Sequence, residues 1–448
     1  MSAQRTVDQE LAELEGFALK THAYCRLTGA SLAMHAIPDA FLVLHVGVGC
    51  KYKGAGQFTL HDLARVAHHR ENYTEVNDRA LIQGSGDRVG IYVRNFYRKR
   101  RPRFMAVATM TFLEMTGEDF GRAVRDAAKT VPCPVAYVPT PGFEGDLYAG
   151  YAAVIREVLK LVPFKKTKPV RGRIGIIGYP FDRYEMDHAG NLQQLRHLLE
   201  SIGLEPGPVF LSGRPMAELL RAGSCEKFVV FPYMRPGLDE LKDLVGGRPL
   251  IATDIPVGVS GTFRWLHDVG RACGVGRGVL EKALRTQKDY ARPQLDMFRN
   301  YIGHRIGSAR AAIFAATPLA AGLTALTSEL GMNPLLVGLR DRDLGGRAAF
   351  AEAVGRTGVR PPVDLDVVET PSLDLTCRKV QALRDAGRLS VLFSSSAEKN
   401  CVAAGGGSLP PHIEIGFPSQ SYHVLYPEPF YGIGGSLVLA QRIMNSVR

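Results

Sequence analysis

Ten short apolar runs recur along the chain, separated by turns rich in glycine or proline and by amphipathic stretches with helical periodicity. Most of these runs are continuous rather than alternating, which is typical of strands buried on both faces of a parallel sheet. Strands that alternate with helices predict a doubly wound α/β fold. The predicted strands are 40–46, 104–110, 134–140, 173–179, 227–233, 249–254, 311–317, 334–339, 389–395 and 412–418.

Two breaks in this pattern divide the chain into domains. The stretch 164–172 is basic, contains proline and lacks periodicity, and a long polar helix precedes the apolar run at 311–317. We therefore predict three Rossmann-like domains, each with a parallel sheet of four or five strands flanked by helices. The predicted domains are 1–165, 166–295 and 296–448.

The composition is ordinary for a globular protein, with 448 residues of which 46% are hydrophobic and 22% charged. The sequence contains no uncharged apolar run of about 18 residues, so no membrane-spanning helix is expected. The acidic, amphipathic start lacks the basic head of a signal peptide, which predicts a cytoplasmic protein. Seven cysteines without regular spacing argue against a secreted disulfide scaffold and for reduced thiols.

The net charge of +11 raises the question of a charged partner, and the densest basic run lies at 94–103. Nucleic acid is one explanation, but the sequence has no zinc-finger spacing, no RNA-recognition motif and no evident helix-turn-helix. A basic surface also attracts an acidic protein at low ionic strength. We therefore expect a protein partner, and no binding to nucleic acid or membranes.

Cys25 and Cys50 enclose a stretch that begins with a helical pattern and ends in the glycine turn GVGC. Glycines before a thiol let the backbone approach a metal cluster closely. The alternative is two buried structural thiols, since cysteine is among the most buried residue types. The chain has no P-loop for ATP and no CxxC pair, so a cluster here needs ligands from separated loops or from another chain.

Several segments, in order along nearly the whole chain, resemble the nitrogenase component 1 superfamily and in particular its β-type subunit. The resemblance rests on LHVGVGC, VNDRALIQGSG, ATMTFLEMTGED, VPTPGFEG, the βαβ stretch at 310–339, SSSAEKNCVA and HIEIGFPSQSYHVLYPEPFYGIGG. It implies that the C-terminal segment of the third domain returns to a subunit interface.

The resemblance implies that Cys25 and Cys50 bind an iron–sulfur cluster shared with an α-type subunit. Thr111 stands where the family has a third cysteine, and Gly142 stands where it has a serine close to the cluster. The cluster is therefore expected to be either an 8Fe cluster like the nitrogenase P-cluster or a [4Fe-4S] cluster, with further ligands from the partner. Thr111, Gly142 and His45 are expected around the cluster without binding it.

The resemblance also implies an α2β2 heterotetramer and a separate homodimeric iron–sulfur ATPase that delivers electrons. We expect this ATPase to dock on a surface formed by Ile82, Gln83 and Gly84. The alternative is that these residues form a mobile surface loop. Phe231 stands where the family's α-type cysteine holds the second, catalytic cluster. No catalytic residue is therefore assigned to this chain, and that cluster is expected in the α-type partner.

The remaining cysteines and one histidine have simpler expected roles. His423 is expected either near a substrate channel at the subunit interface or as an ordinary surface residue. The other thiols are interpreted as packed side chains rather than ligands; they are Cys133, Cys225, Cys273, Cys377 and Cys401.

The substrate is the least constrained part of the resemblance. Exclusion of better-known branches favours methylthio-alkane reductase, which cleaves C–S bonds of small organic sulfur compounds. The alternatives are a subunit of a nitrogenase cofactor-assembly scaffold, of a dinitrogen reductase or of a tetrapyrrole reductase. A binding module without metal, in which both cysteines are dispensable, is a third class.

Overall fold

In a computed structural model, which describes residues 24–51, 61–62, 70–406 and 408–447, the chain forms three β-sheets flanked by helices. All neighbouring strands in these sheets run parallel, which confirms the predicted fold class. The predicted acidic start of the chain lies outside the described residues. Of the helices in the described ranges, none combines the length and apolar character needed to cross a bilayer.

The first sheet and its helices carry the candidate metal site. The elements are α1 (Arg26–His35), β1 (Ala40–His45), β2 (Glu71–Tyr73), α2 (Asp78–Gln83), α3 (Gly86–Arg100), β3 (Phe104–Thr109), α4 (Thr111–Glu114), α5 (Phe120–Ala128), β4 (Val135–Val138) and α6 (Leu147–Leu161). The strand order is β2–β1–β3–β4. Leu42 and Leu44 pack with α1 and α6, whereas Phe41 and Val43 pack with α3 and α5. Burial of both faces explains why the strands are continuously apolar.

The second sheet has the strand order β6–β5–β7–β8, numbering on along the chain. Its elements are β5 (Val170–Ile177), α7 (Met186–Ser201), β6 (Glu205–Val209), α8 (Met216–Leu220), β7 (Cys225–Val230), α9 (Leu238–Leu244), β8 (Leu250–Ala252), α10 (Val259–Ala272) and α11 (Arg277–Met297). The segment 302–306 that leads on to the third sheet is a single π-helical turn.

The third sheet contains five strands. Its elements are β9 (Arg310–Ala315), α12 (Thr317–Glu329), β10 (Asn333–Leu339), α13 (Gly346–Thr357), β11 (Asp366–Glu369), α14 (Leu373–Asp385), β12 (Val391–Ser394), α15 (Ser396–Ala404), β13 (His412–Glu414) and α16 (Gly432–Ser446). The strand order is β11–β10–β9–β12–β13. The last helix, α16, packs against α7 and α10 of the second sheet. Each sheet lies within one of the three predicted domain ranges, whose boundaries stay a prediction.

Two glycines place α1 and α6 in direct main-chain contact. A Cβ atom on Gly29 would overlap the carbonyl oxygen of Leu147, and one on Gly150 would overlap the carbonyl oxygen of Arg26. Only a residue without a side chain fits at such an approach. This contact fixes the N-terminal ends of the two helices beside each other.

Candidate metal centre

The predicted site residues lie on segments that leave the first sheet at the carboxyl ends of its strands. Residues 46–50 follow β1, Met110 and Thr111 follow β3, and residues 139–146 follow β4. This is the edge at which parallel α/β sheets bind ligands. The topology therefore brings together side chains that are far apart in sequence.

Cys25 is held by main-chain contacts at the N-terminal end of α1. It forms an antiparallel β-bridge with Asp146, which precedes α6. The contact of Gly29 with the start of α6 brings these two helix ends together. The thiol is half-buried, with its sulfur 3.7 Å from Oγ1 of Thr28. Main-chain contacts and the hydroxyl of Thr28 therefore hold Cys25 in place.

Cys50 lies in a short helical turn, 48–51, directly after the glycines. The backbone N–H of Gly47 donates to Sδ of Met110 at 3.2 Å. Met110 directly precedes Thr111. This hydrogen bond therefore attaches the turn of Cys50 to the segment that carries Thr111. Cys50 is half-buried and packs against the same hydrophobic core as Cys25.

Thr111 and Gly142 contact each other beside Cys25. The backbone N–H of Gly142 donates to Oγ1 of Thr111 at 2.8 Å. A Cβ atom on Gly142 would lie 2.9 Å from that oxygen and 3.8 Å from Cβ of Cys25. The structure thus brings Cys25, Thr111 and Gly142 together, and the Thr111 O–H remains available as a donor.

Asp146 is a residue of this region that sequence reasoning missed. Its carboxylate accepts from the backbone N–H groups of Tyr148 and Arg342, both at 2.8 Å, and its own N–H donates to Asp343 at 2.7 Å. Burial, partly offset by the N–H of Arg342, raises the pKa of Asp146 to about 6. The only sequence signal was an acidic residue directly before an apolar helix, which is a common helix cap.

The ring of His45, at the end of β1, is held by two hydroxyl groups. Its Nδ1 lies 2.6 Å from Oγ1 of Thr74 and its Nε2 lies 2.8 Å from Oγ of Ser85. Burial lowers the pKa of His45 to about 4, so the ring is neutral at pH 7. The ring therefore connects the strand that leads to Cys50 with the segment that begins α3.

The predicted docking residues Ile82, Gln83 and Gly84 lie at the end of α2, directly before Ser85. Asn77 caps α2, and Ile82 near its end is 86% exposed. Gly84 has a φ of 87°, which a glycine adopts without strain. Gln83 accepts from Nε of Arg79 at 3.1 Å. The loop is anchored at Ser85, whose N–H donates to Glu118; Glu118 is another residue that the sequence analysis missed.

Four exposed apolar side chains, here called the apolar rim, lie on the segments that carry the candidate centre. They follow β1, β3 and β4, and each is more than half exposed: Val48, Phe112, Met115 and Phe143. Exposed apolar side chains beside a site are typical of surfaces that another protein covers. The sequence analysis did not single out these residues because each lies alone in a polar or glycine-rich turn.

The residues present suit a cluster that a second chain completes. Within the ranges that the structure describes, no group of three or more histidine, cysteine or acidic side chains is arranged to bind a metal ion by itself. Two half-buried thiols on neighbouring segments, with the Thr111 hydroxyl near Cys25, are fewer ligands than an iron–sulfur cluster needs. The donor set thus fits a shared iron–sulfur cluster and does not fit a self-contained one.

The other cysteines lie apart from this edge. Cys133 packs with the core on the α3 and α5 side of the first sheet, and burial raises the pKa of its thiol. Burial raises the pKa of Cys225 to about 12. The interpretation of Cys377 and Cys401 as separate packed thiols was wrong, because the two form a disulfide with their Cα atoms 6.2 Å apart. Their adjacent helices, α14 and α15, hold them at a distance that permits the bond.

Phe231 and His423 are the two remaining positions for which the sequence analysis discussed a functional role. Phe231, directly after β7, is fully buried. His423 is partly exposed, with its Nδ1 2.7 Å from a carboxylate oxygen of Glu185. Neither contacts the candidate centre through any hydrogen bond found in the described part of the chain.

The described residues thus form three parallel sheets, with the segments 46–50 and 139–146 at the carboxyl edge of the first. The model of the family "Nitrogenase component 1 type Oxidoreductase" matches residues 25–448. The chain belongs to this family. Its full-length similarity is to β chains, so it is a β-type member.

The relatives and a solved structure agree with this assignment. The nitrogenase molybdenum-iron protein beta chain of Frankia alni is 24% identical over 470 residues, covering 94% of this chain and 81% of the relative. The nitrogenase iron-iron protein beta chain of Rhodobacter capsulatus is 24% identical, covering 94% and 92%. The cofactor biosynthesis protein NifN of a Nostoc species is 24% identical over 186 residues, covering 40% and 39%. A solved chain of "Nitrogenase Cp1 at pH 6.5" superposes with a TM-score of 0.76 at 17% identity, covering 95% and 92%, which supports the fold.

Proposed function

We propose that this chain is the β-type subunit of the catalytic component of an ATP-dependent, nitrogenase-like reductase. The observation that carries the proposal is the placement of Cys25 beside Thr111 and Gly142 at the carboxyl edge of the first sheet. Family membership supports it over the whole described chain. In this proposal the chain assembles with a homologous α-type subunit into an α2β2 heterotetramer in the cytoplasm, and a homodimeric iron–sulfur ATPase docks at Ile82, Gln83 and Gly84.

Cys25 and Cys50 would hold an iron–sulfur cluster together with the α-type subunit, either 8Fe or [4Fe-4S]. Such a cluster supplies one-electron transfer when bound. The chain itself fixes the Cys25 thiol through the glycine contact of α1 with α6. Thr111 can donate its O–H toward a cluster sulfur, which tunes the potential. The apolar rim excludes water from the edge once the partner covers it.

The proposed reaction is reductive C–S cleavage of small methylthio-alkanes at a cluster of the α-type partner. This proposal rests on exclusion among family branches. A second candidate is a scaffold on which nitrogenase cofactor is assembled, and the similarity to NifN favours it. Dinitrogen and tetrapyrrole reduction are further alternatives. Methanethiol release by the purified complex with its ATPase partner separates a methylthio-alkane reductase from all of them.

The first test is the iron and sulfide content of the anaerobically purified complex, with electron paramagnetic resonance, for the wild type and the Cys50→Ala variant. We expect abundant iron in the wild type and loss of the interface-cluster signal in the variant. Cys133→Ala is the matched control, since it removes a half-buried thiol on the other face of the sheet. A complex without iron, or a Cys50→Ala variant that keeps its full iron content, refutes the proposal.

A further inference from the structure

A cavity of about 100 Å³ lies where the three domains meet, and its wall includes Asp146, which pairs with Cys25 of the candidate metal centre. Its wall includes residues that follow strands of the second and third sheets, namely Phe181 after β5, Tyr233 after β7 and Ala316 after β9. Leu32 of α1 and Tyr148 of α6 close it from the first domain. The carboxyl ends of parallel strands and the junctions between domains are the usual places for small-molecule sites.

The size of the cavity limits what it can hold. A space of about 100 Å³ holds several water-sized groups. Most of the exposed wall is apolar and much of it is aromatic. The cavity therefore suits a compact molecule rather than a nucleotide or a peptide.

The charged side chains of the wall are already engaged with one another or with nearby groups. The carboxylate of Glu414 accepts from two serine hydroxyls, Ser396 and Ser419, and from backbone N–H groups at 420–422. The remaining ion pairs of the wall are Asp182 with His188 at 2.6 Å, Arg183 with Asp187 at 2.7 Å, Arg340 with Glu398 at 2.7 Å and Arg442 with Glu428 at 2.5 Å. A wall whose ions are paired offers an ionic ligand little in return for its dehydration, so an uncharged ligand fits better.

Two phenol hydroxyls of the wall have no hydrogen-bond partner among the described residues. They belong to Tyr148 and Tyr233, whose ring centroids lie 5.2 Å apart. The hydroxyl of Tyr431, whose ring contacts Phe231 outside the cavity wall, is also buried and has no hydrogen-bond partner among the described residues. Tyr151, by contrast, donates to backbone carbonyl oxygens of Phe181 and Leu211. Unpaired hydroxyls beside an apolar space favour a ligand that carries a hydrogen-bond acceptor.

The wall does not suit a metal cluster. Of the lining residues that the structure describes, none is a cysteine. The histidine, His188, has both ring nitrogens engaged, Nδ1 with Tyr179 at 2.7 Å and Nε2 with Asp182 at 2.6 Å. The ligand that the wall can recognise is therefore organic.

We propose that this cavity binds a small uncharged organic molecule, mainly apolar and carrying one hydrogen-bond acceptor such as a carbonyl oxygen, which Tyr148 and Tyr233 recognise. Neither Cys25 nor Cys50 lines the site, although Asp146 next to Cys25 does, and binding there needs no cluster and no turnover. It can therefore stand or fail independently of the proposed function.

The test is a titration of the purified complex with three probes of similar size, followed by saturation-transfer nuclear magnetic resonance. The probes are cyclohexanone, its isostere methylenecyclohexane, which lacks the acceptor, and cyclohexanecarboxylate, which is an anion. We expect saturable binding of cyclohexanone, binding of methylenecyclohexane that is about fivefold weaker, and no saturable binding of the anion. Absence of saturable cyclohexanone binding, or tighter binding of the anion, overturns the proposal.

Variants locate the binding in this cavity. Ala316→Leu should abolish cyclohexanone binding by filling the space. Tyr148→Phe combined with Tyr233→Phe should weaken cyclohexanone binding about fivefold and leave methylenecyclohexane unchanged. Tyr290→Phe, which alters an exposed tyrosine of α11, is the matched control. If Ala316→Leu does not fold, the tyrosine pair decides the question, and unchanged cyclohexanone affinity in that pair overturns the proposal.

Discussion

Oγ1 of Thr111 lies 2.8 Å from the backbone nitrogen of Gly142 and accepts its hydrogen bond. These are the two positions at which the resemblance predicts a cysteine and a serine in the rest of the family. The hydroxyl of Thr111 occupies the space in which a side chain on residue 142 would begin. The two departures are therefore physically coupled, since a larger residue at 142 conflicts with the threonine at 111.

This coupling predicts the behaviour of Gly142→Ala. The new Cβ would lie 2.9 Å from Oγ1 of Thr111, closer than ordinary contacts allow. We expect the variant to lower the free energy of unfolding by about 1–2 kcal/mol, measured by denaturant titration. In a Thr111→Ala background the same substitution should cost clearly less. Equal costs in both backgrounds would show that the two residues do not interact.

The close contact between α1 and α6 at Gly29 predicts a larger loss of stability than the one expected for Gly142→Ala. Gly29→Ala drives a methyl group into the carbonyl oxygen of Leu147, and main-chain atoms cannot move aside cheaply. We expect destabilisation of about 3 kcal/mol, and loss of iron as Cys25 is displaced. Gly355→Ala is the control, because that glycine lies in α13 with open space around it. The control should stabilise the chain by up to about 1 kcal/mol.

The docking proposal predicts that Ile82→Asp impairs electron delivery without harming the fold. The side chain of Ile82 is almost fully exposed, so an aspartate there meets only solvent in the isolated complex. We expect unchanged iron content and thermal midpoint, and at least a tenfold loss of ATP-coupled turnover. Val363→Asp, at another fully exposed position in the third domain, should change none of these. Normal turnover of the Ile82→Asp complex would place docking elsewhere.

His45 predicts a specific loss of stability in acid. Its pKa falls from its ordinary value near 6.5 to about 4 in the folded chain, so below pH 6.5 the unfolded chain binds a proton that the folded chain does not. The free energy of unfolding should therefore fall between pH 6.5 and 4, by at most about 3 kcal/mol from this group. His45→Gln should remove that part of the pH dependence, as measured by denaturant titrations across the range. An unchanged pH dependence in the His45→Gln variant would show that His45 is not its source.

The basic run at 94–103 is predicted to take no part in docking of the ATPase partner. Arg98, Lys99 and Arg100 lie at the C-terminal end of α3, about 22 Å along the helix axis from its start near Gly84. There they interact favourably with the helix dipole. Changing all three to glutamine should leave salt-dependent turnover with the ATPase partner unaltered if docking occurs at Gly84. A weaker salt dependence in this variant would instead assign the docking to the basic end of α3.

The fold followed from the sequence except at three strands, β2, β6 and β11. All ten predicted strands are present, and the three that were missed are edge strands. An edge strand pairs on one side only and meets solvent, so its residues are mixed rather than continuously apolar, as in DVVE of β11. The apolar pattern that identifies central strands is therefore absent in them.

The candidate site was less predictable than the fold. Local motifs singled out Cys25, Cys50, Thr111 and Gly142, but nothing in their spacing showed that Gly142 bonds to Thr111. That contact depends on which strands are neighbours in the sheet, and β3 lies beside β4. The disulfide of Cys377 and Cys401 was missed for the same reason, because it depends on the packing of α14 against α15.

The main-chain contacts of Gly29 with Leu147 and of Gly150 with Arg26 also bear on how sequences with this fold can diverge. Side chains in a core can be exchanged and repacked, and helices that meet through side chains shift when those are replaced. Here the spacing of α1 and α6 is set by main-chain atoms. The aliphatic residues around them can therefore vary widely while the thiol of Cys25 keeps its place, as long as the two glycines remain.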